Sequence, residues 1–245
     1  MVKSISRIIT GISLAALAIT ASAQGTPPAQ KPAGAAKPAG ATAGYDKALL
    51  SPSTLTAKAP ETYDIKFVTT EGDFVVHVTR AWAPLGADRV YNLVKHHYFD
   101  GAAFFRVIPN FMAQFGLSAY PEINKAWMNA NIHDDPVKHS NSRGTVTFAA
   151  QESPNTRSTE LFINFVNNAG LDSQRFAPFG EVISGMDVVD KIYSGDREKP
   201  DQEKITLQGK AYLEKNFPKL TVIKSASVVT APPPAGAAAK PSTKP

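Results

Sequence analysis

Short segments in which apolar and polar residues alternate most constrain how this chain can fold. Every second residue from Tyr63 to Phe67 is large and apolar, and the alternation resumes at Phe74 after the turn-forming residues 70–73. A period of two predicts strands buried on one face, and the turn between them predicts a β-hairpin. Further strands are predicted at Phe104–Ile108, Met112–Phe115, Thr145–Ala149, Leu161–Phe165, Ala177–Val182 and Thr221–Ser227.

Helical patterns are few by comparison. Pro84 suits the first turn of a helix, the apolar residues after it have helical spacing, and Asp100-Gly101 ends the pattern. Shorter helices are predicted at Met186–Ile192 and Lys210–Asn216. Many short strands with two or three helices predict a mainly antiparallel β fold whose sheet closes on itself to protect its edges.

The two ends of the chain differ in composition from the middle. Residues 1–23 have a basic start, an apolar run and the small-residue site Ala21-Ser22-Ala23, which is typical of a secretory signal peptide. An uncleaved anchor is the alternative. Residues 24–55 are predicted to be a disordered linker and residues 230–245 a disordered tail, because Pro, Ala and Gly dominate them. The folded domain is therefore predicted over 56–229, in an exported protein that is periplasmic or secreted and has no stable membrane insertion after signal cleavage.

The net charge of +5 comes from the ends of the chain. Six cations lie in residues 1–44 and 230–245, which contain no acid, and removing these six from +5 leaves −1 for Tyr45–Val229. A domain of balanced charge has no electrostatic footprint for phosphate backbones, so no nucleic-acid partner is expected. The absence of cysteine from the sequence excludes disulfides, a thiol nucleophile and thiolate metal ligands.

Arg106 is the most informative charged residue of the domain. Its neighbours at 104–105 and 107–108 are all apolar, and burying a charge among such residues is costly unless the charge is paired or used. By composition alone, an arginine on the solvent face of a strand is the favoured interpretation, and a functional arginine is the alternative. Strand geometry places Met112 and Gln114 on one face, so that an apolar group lies beside an amide.

The segment Phe105–Gln114 resembles the central motif of the cyclophilin family. In that motif an aromatic residue or His precedes Arg, two aliphatic residues, Pro, any residue, Phe, Met, any residue and Gln. Further stretches resemble other cyclophilin blocks, in family order: Arg143–Ala149 with Ser153–Thr156, then Thr159–Asn164, then Leu171-Asp172 with Phe179–Val182. With Gly72–Phe74 and Ala83-Pro84, the resemblance covers about 65–225.

The resemblance implies a closed eight-stranded antiparallel β-barrel capped by two or three helices. It also implies peptidyl-prolyl cis–trans isomerase activity on the X–Pro bonds of unfolded or flexible polypeptides. Carried over by motif, Arg106 is the catalytic arginine and Gln114 hydrogen-bonds the substrate backbone. The other substrate-binding residues implied are Phe111, Met112, Ala149 (or Ala150), Phe162, Leu171 and Phe176. No cofactor and no metal are implied, and a monomer is the expected state of a self-closed barrel.

Several positions depart from the family pattern. Gly170 stands where eukaryotic members have Trp, Arg175-Phe176 where they have His, and Glu160-Leu161 where members have Gln and Phe. These departures resemble the bacterial exported branch of the family. Because the family Trp contributes to cyclosporin binding, weak cyclosporin sensitivity with retained turnover is expected.

Two rival interpretations concern other residues and another function. His133, Asp134, Asp135 and His139 resemble a metal cluster in composition, but their spacing and the adjacent Pro136 indicate a solvated loop. A non-catalytic, proline-directed binding or chaperone module is the main alternative to an isomerase. Binding alone would not require Arg106.

Overall fold

Eight β-strands and five α-helices lie within residues 44–229, the part of the chain that the computed structural model describes. The strands are β1 (Thr62–Thr69), β2 (Asp73–Thr79), β3 (Arg106–Ile108), β4 (Met112–Phe115), β5 (Thr145–Phe148), β6 (Leu161–Asn164), β7 (Pro178–Ser184) and β8 (Ile223–Val229). The α-helices are α1 (Pro84–Lys95), α2 (Pro121–Trp127), α3 (Met186–Val189), α4 (Gln202–Gln208) and α5 (Lys210–Asn216). Three 3₁₀ helices span Lys47–Leu50, Pro52–Thr54 and Ala169–Gln174.

The strands form one curled antiparallel sheet in the order β3-β4-β6-β5-β7-β2-β1-β8. The end strands β3 and β8 are not hydrogen-bonded to each other as strands. Instead Ala103, just before β3, forms a single bridge with Val222, just before β8, and the Phe104 N–H donates to the Thr221 carbonyl at 3.0 Å. The predicted mainly β, eight-stranded antiparallel fold is confirmed.

The concave side of the sheet is filled by apolar side chains. Phe67 of β1 stacks on Phe74 of β2 with ring centroids 4.9 Å apart, and Val107 of β3 and Ala113 of β4 belong to the same core. Successive residues of a strand point to opposite faces. The even-numbered residues of β3 and β4, among them Arg106, therefore lie on the outer face of the sheet.

The folded domain begins earlier than the composition predicts. Within the segment assigned to the disordered linker, Leu49 is only 1% exposed, and its carbonyl accepts a hydrogen bond from Trp127 Nε1 at 2.8 Å. Asp46 also accepts a 2.6 Å hydrogen bond from His96 Nδ1 at the end of α1. A single buried leucine and two side-chain contacts attach this segment to the domain. The domain therefore starts near Tyr45, and the predicted boundary at Thr56 is too late.

The prediction of two or three helices is too low, because α2 and α4 were not anticipated. Both are short, at seven residues each, so neither carries a long apolar repeat. Their starting signals are local: Pro121 opens α2, and the Asp201 side chain accepts from two backbone N–H groups at the start of α4. None of the helices in residues 44–229 has the length and apolar character of a membrane-spanning segment.

The sequence predicts that the loop at 133–139 is solvated, but one of its acidic side chains is buried. Asp135 is 5% exposed, and its carboxylate accepts hydrogen bonds from the N–H groups of Leu85 and Gly86 at 3.0 and 2.9 Å. It also pairs with the buried Arg157 guanidinium at 3.1 Å. The backbone N–H groups at the start of α1 and the Arg157 guanidinium thus compensate the negative charge of the buried Asp135. In the described part of the chain, no group of His, Cys, Asp and Glu side chains has the arrangement of a metal site.

Candidate active site

The cross-strand register aligns Arg106, Gln114 and Phe162 in one row on the outer face of the sheet. Arg106 of β3 lies opposite Gln114 of β4, and Gln114 lies opposite Phe162 of β6. Residues paired in this way have neighbouring side chains. The first two come from a tight hairpin, whereas Phe162 arrives from a distant part of the chain. The row therefore places a cation, an amide and an aromatic ring at neighbouring positions on three adjacent strands.

A chain of polar contacts holds the Arg106 guanidinium. Its Nη1 donates to Gln114 Oε1 at 3.3 Å, and its Nε donates to Glu198 Oε2 at 3.2 Å. Gln114 Nε2 in turn donates to Glu160 Oε2 at 2.8 Å. Arg106 is 17% exposed, whereas Glu198 is 65% exposed. The guanidinium is thus oriented from two sides and keeps a face toward solvent.

The loop that carries Glu198 is attached to β3 by its backbone. The Val107 N–H donates to the carbonyl of Arg197 at 2.9 Å, and Arg197 adopts a left-handed conformation with φ of 51°. This contact is adjacent to the Arg106–Glu198 pair. The backbone hydrogen bond holds the loop against β3, so that the Glu198 carboxylate stays within hydrogen-bonding distance of the Arg106 guanidinium.

An apolar cluster lies next to this polar row. Met112, Phe162, Leu171 and Phe176 are buried together, and the partly buried side chains packed against them are Ile108, Phe111, Ala149 and Ala150. The rings of Phe162 and Phe176 meet edge to face, with centroids 5.8 Å apart. All eight site residues predicted from the sequence therefore converge, with Arg106 and Gln114 at one side and the apolar group at the other. Ala150 takes part as well.

A buried amide supports the far wall of this cluster. Asn141 Nδ2 donates to the Phe176 carbonyl at 2.8 Å and to Asp172 Oδ1 at 2.7 Å. Asp172 Oδ1 also accepts from the Asn141 N–H at 2.9 Å, and Oδ2 accepts from Ser140 Oγ at 2.6 Å. These bonds tie the 3₁₀ helix that carries Leu171 to the strand region before β5.

The Asp172 carboxylate is kept ionised by its partners. Partial burial on its own raises the pKa of this group, but the hydrogen bonds from Ser140 and Asn141 outweigh burial and hold the pKa below its usual value. An ionised acceptor makes the stronger hydrogen bond. The wall of the apolar cluster therefore depends on the charge of Asp172.

Sequence reasoning missed Glu198 and Asn141. Glu198 is separated from Arg106 by 92 residues of the chain, and no local pattern signals their contact. Asn141 could have been suspected from its place just before β5, where a polar side chain can bond the end of a neighbouring segment. At Gly170, an added Cβ would have no neighbour within 4 Å, so this rim of the cluster is open.

Comparison with known proteins agrees with the geometry. Residues 64–210 match the family model described as cyclophilin type peptidyl-prolyl cis-trans isomerase/CLD. A peptidyl-prolyl cis-trans isomerase of Acinetobacter baylyi is 34% identical over 132 residues, covering 52% of this chain and 70% of that protein. A probable peptidyl-prolyl cis-trans isomerase of Brucella abortus is 35% identical over 135 residues, covering 51% and 68% respectively.

Solved structures show the same fold. A cyclophilin type peptidyl-prolyl cis-trans isomerase of Cryptosporidium parvum superposes with a TM-score of 0.55 at 18% identity, covering 70% of this chain and 99% of that one. A second structure of that protein, determined in the presence of the dipeptide Ala-Pro, gives a TM-score of 0.54 and covers 68% of this chain and 99% of that one. From the strand order, the convergent site and these matches together, the chain belongs to the cyclophilin-type peptidyl-prolyl cis–trans isomerase family.

Proposed function

We propose that Arg106 accelerates rotation about X–Pro bonds held in the Met112–Phe162–Leu171–Phe176 cluster. The barrier to this rotation is about 18–20 kcal/mol and arises from amide resonance. A donor aimed at the prolyl nitrogen favours the twisted amide, because the nitrogen lone pair becomes available as resonance is lost. The guanidinium of Arg106 is charged at any physiological pH and supplies such a donor without a proton transfer.

The apolar cluster provides the other half of the mechanism. A proline ring placed against Phe162, Met112 and Leu171 is held while the chain on the other side of the bond turns. Phe111 flanks this position, and Gln114 offers an amide to the substrate backbone. The observation that carries the proposal is the alignment of Arg106, Gln114 and Phe162 across three adjacent strands, which places the donor beside the ring pocket.

The first test is Arg106→Ala in a protease-coupled assay on a proline tetrapeptide, with kcat and KM determined separately. Removing a donor directed at transition-state charge costs about 10²- to 10³-fold in rate, so most activity should disappear while the thermal unfolding curve is retained. Arg143→Ala, which removes an arginine that is 45% exposed and outside the site, is the matched control and should keep full activity.

The same variant separates catalysis from simple binding. If folded Arg106→Ala turns over at nearly the wild-type rate, the catalytic role of Arg106 is wrong. If the wild type binds proline peptides in a titration but does not accelerate isomerisation, the chain is a binding or chaperone module. The Cryptosporidium protein whose structure was determined with Ala-Pro makes a proline dipeptide a suitable first ligand.

We further propose that the protein acts on exported polypeptides, in the bacterial exported branch of the family. The support is the signal-peptide pattern of residues 1–23 with its Ala21-Ser22-Ala23 site, together with Gly170 and Arg175-Phe176 in place of the eukaryotic Trp and His. Cell fractionation and N-terminal sequencing of the mature chain test this. A cytoplasmic product that still begins at Met1 would contradict it.

The proposed working form is a monomer whose barrel is closed. The bridge between Ala103 and Val222 supports closure, because it joins the segments leading into the two end strands. Hydrogen exchange of the Phe104 and Ile223 amides tests closure, since both donate across this junction. Sedimentation equilibrium of the chain tests the monomer.

A further inference from the structure

A second cationic side chain, Arg89 of α1, lies away from the active site and lacks an acidic partner. Its guanidinium stacks over the Trp127 ring at 5.0 Å, and its Nη1 donates to the carbonyls of Ala130 and Ser158 at 2.6 and 3.0 Å. No carboxylate within residues 44–229 pairs with it, and its Nε and Nη2 donate to none of those residues. Two donors of the guanidinium fork are therefore available.

The setting of Arg89 leaves its charge undercompensated. The side chain is partly buried, and burial lowers its pKa to about 10, with the charge of nearby Arg157 acting in the same direction. The guanidinium is still protonated at neutral pH. A partly buried cation that has only carbonyl and ring partners is stabilised when an anion reaches it.

Arg89 lines an open cleft with a volume of about 420 Å³. The other lining residues are neutral: Pro52, Ser53, Ala126, Asn129, Ala130 and Asn131. In the described part of the chain, the Ser53 hydroxyl and the amides of Asn129 and Asn131 have no hydrogen-bond partner. The cleft thus combines one cation with three neutral polar groups and no acid, and its volume is in the range of small-ligand sites.

We propose that this cleft binds a single carboxylate, with Nε and Nη2 of Arg89 as its two donors and the neutral rim as further donors. The planar fork of arginine matches a carboxylate bidentately. One positive charge without a second cation at the rim suits a monoanion better than a dianionic phosphate. A free organic acid and an acidic peptide side chain both carry a carboxylate. The site is therefore proposed to bind a carboxylate, and the experiment below distinguishes these two kinds of ligand.

Trp127 makes the site observable without an activity assay. Its indole N–H donates to the Leu49 carbonyl at 2.8 Å and its ring lies under Arg89, so its ¹H–¹⁵N resonance should move when an anion binds. The chain has two tryptophans, and the other, Trp82, stacks on His139 at 3.6 Å and serves as an internal reference. Acetate, N-acetylglutamate amide and inorganic phosphate are titrated into the full-length chain, against chloride at equal ionic strength.

The expected result is a saturable shift of the Trp127 resonance with acetate and with N-acetylglutamate amide, while Trp82 and isomerase turnover are unchanged. Dissociation constants on the order of 1 mM are expected for one such contact. Tighter binding of N-acetylglutamate amide identifies a peptide acid as the source, and equal binding identifies a free acid. Phosphate binding more tightly than acetate would contradict the assignment to a monoanion.

Variants complete the test. Arg89→Met keeps the stem over Trp127 and should weaken carboxylate binding at least tenfold, whereas Arg89→Lys keeps the charge without the fork and should be intermediate. If Arg89→Met does not fold, Asn131→Ala on the exposed rim, expected to weaken binding several-fold, replaces it. A Trp127 shift no larger with carboxylates than with chloride, or undiminished in the variants, overturns the proposal.

Discussion

The charge of Asp172 should control the stability of the wall behind the proposed proline pocket. Asp172→Asn keeps the size of the side chain but removes the charged acceptor of three hydrogen bonds, two from Asn141 and one from Ser140. Hydrogen bonds to charged groups contribute about 1.5–3 kcal/mol each when buried. Because Asp172 is partly solvated and the amide oxygen still accepts one bond, we expect a loss of about 2 kcal/mol in the free energy of unfolding.

The loss should depend on pH in a defined direction. The pKa of Asp172 is lower in the folded protein than in the unfolded chain, where it is about 3.9. Its stabilising contribution is therefore fully present above about pH 4, and it declines as the pH falls through the lower folded-state pKa. The wild type and Asp172→Asn should differ at pH 7 and pH 5 alike, and should converge as the pH falls below about 4.

Urea unfolding of the full-length protein measures both effects. With an m-value of about 2 kcal/mol/M, a loss of about 2 kcal/mol lowers the urea midpoint by about 1 M at pH 7. Asp187→Asn is the matched control, because Asp187 is 77% exposed and its ion pair with Lys191 is a weak surface contact. Equal midpoints for the wild type and Asp172→Asn at pH 7, or a difference that persists unchanged in acid, would refute the reasoning.

Three further predictions concern the pocket, the buried ion pair and the open rim. Phe162→Ala should raise KM for a proline peptide more than it lowers kcat, since the proposed role of Phe162 is to hold the proline ring; the reverse pattern in steady-state kinetics would argue against this role. Asp135→Asn should reduce the free energy of unfolding by about 3–5 kcal/mol in urea, because it leaves the buried Arg157 without its closest carboxylate; a midpoint within error of the wild type would contradict this. Gly170→Trp should strengthen the weak cyclosporin inhibition expected of the wild type without changing turnover, because a side chain there meets open space; unchanged inhibition would show that the family Trp acts only with other rim residues.

Part of the site could be read from local sequence. The short β3–β4 hairpin places Arg106 opposite Gln114, and the period of two puts both, with Met112, on the outer face. The alternation that predicted the β1–β2 hairpin is equally local, and the structure pairs Tyr63 with Val78. Such features depend on residues within one hairpin, so the pattern of residues along the chain is enough to predict them.

Tertiary structure alone decided the rest. The sheet inserts β6 between β4 and β5, which brings Phe162 beside Gln114, and the loop before α4 brings Glu198 to Arg106. The burial of Leu49 and the pairing of Asp135 with Arg157 were likewise invisible in composition, which averages over segments and does not record what they pack against. The sequence by itself determined the strands and the motifs that identify the family, because each strand and each motif is formed by residues that are neighbours in the chain. The neighbours of Arg106 and the edges of the domain were decided by long-range strand pairing and packing, whose partners lie far apart in the chain.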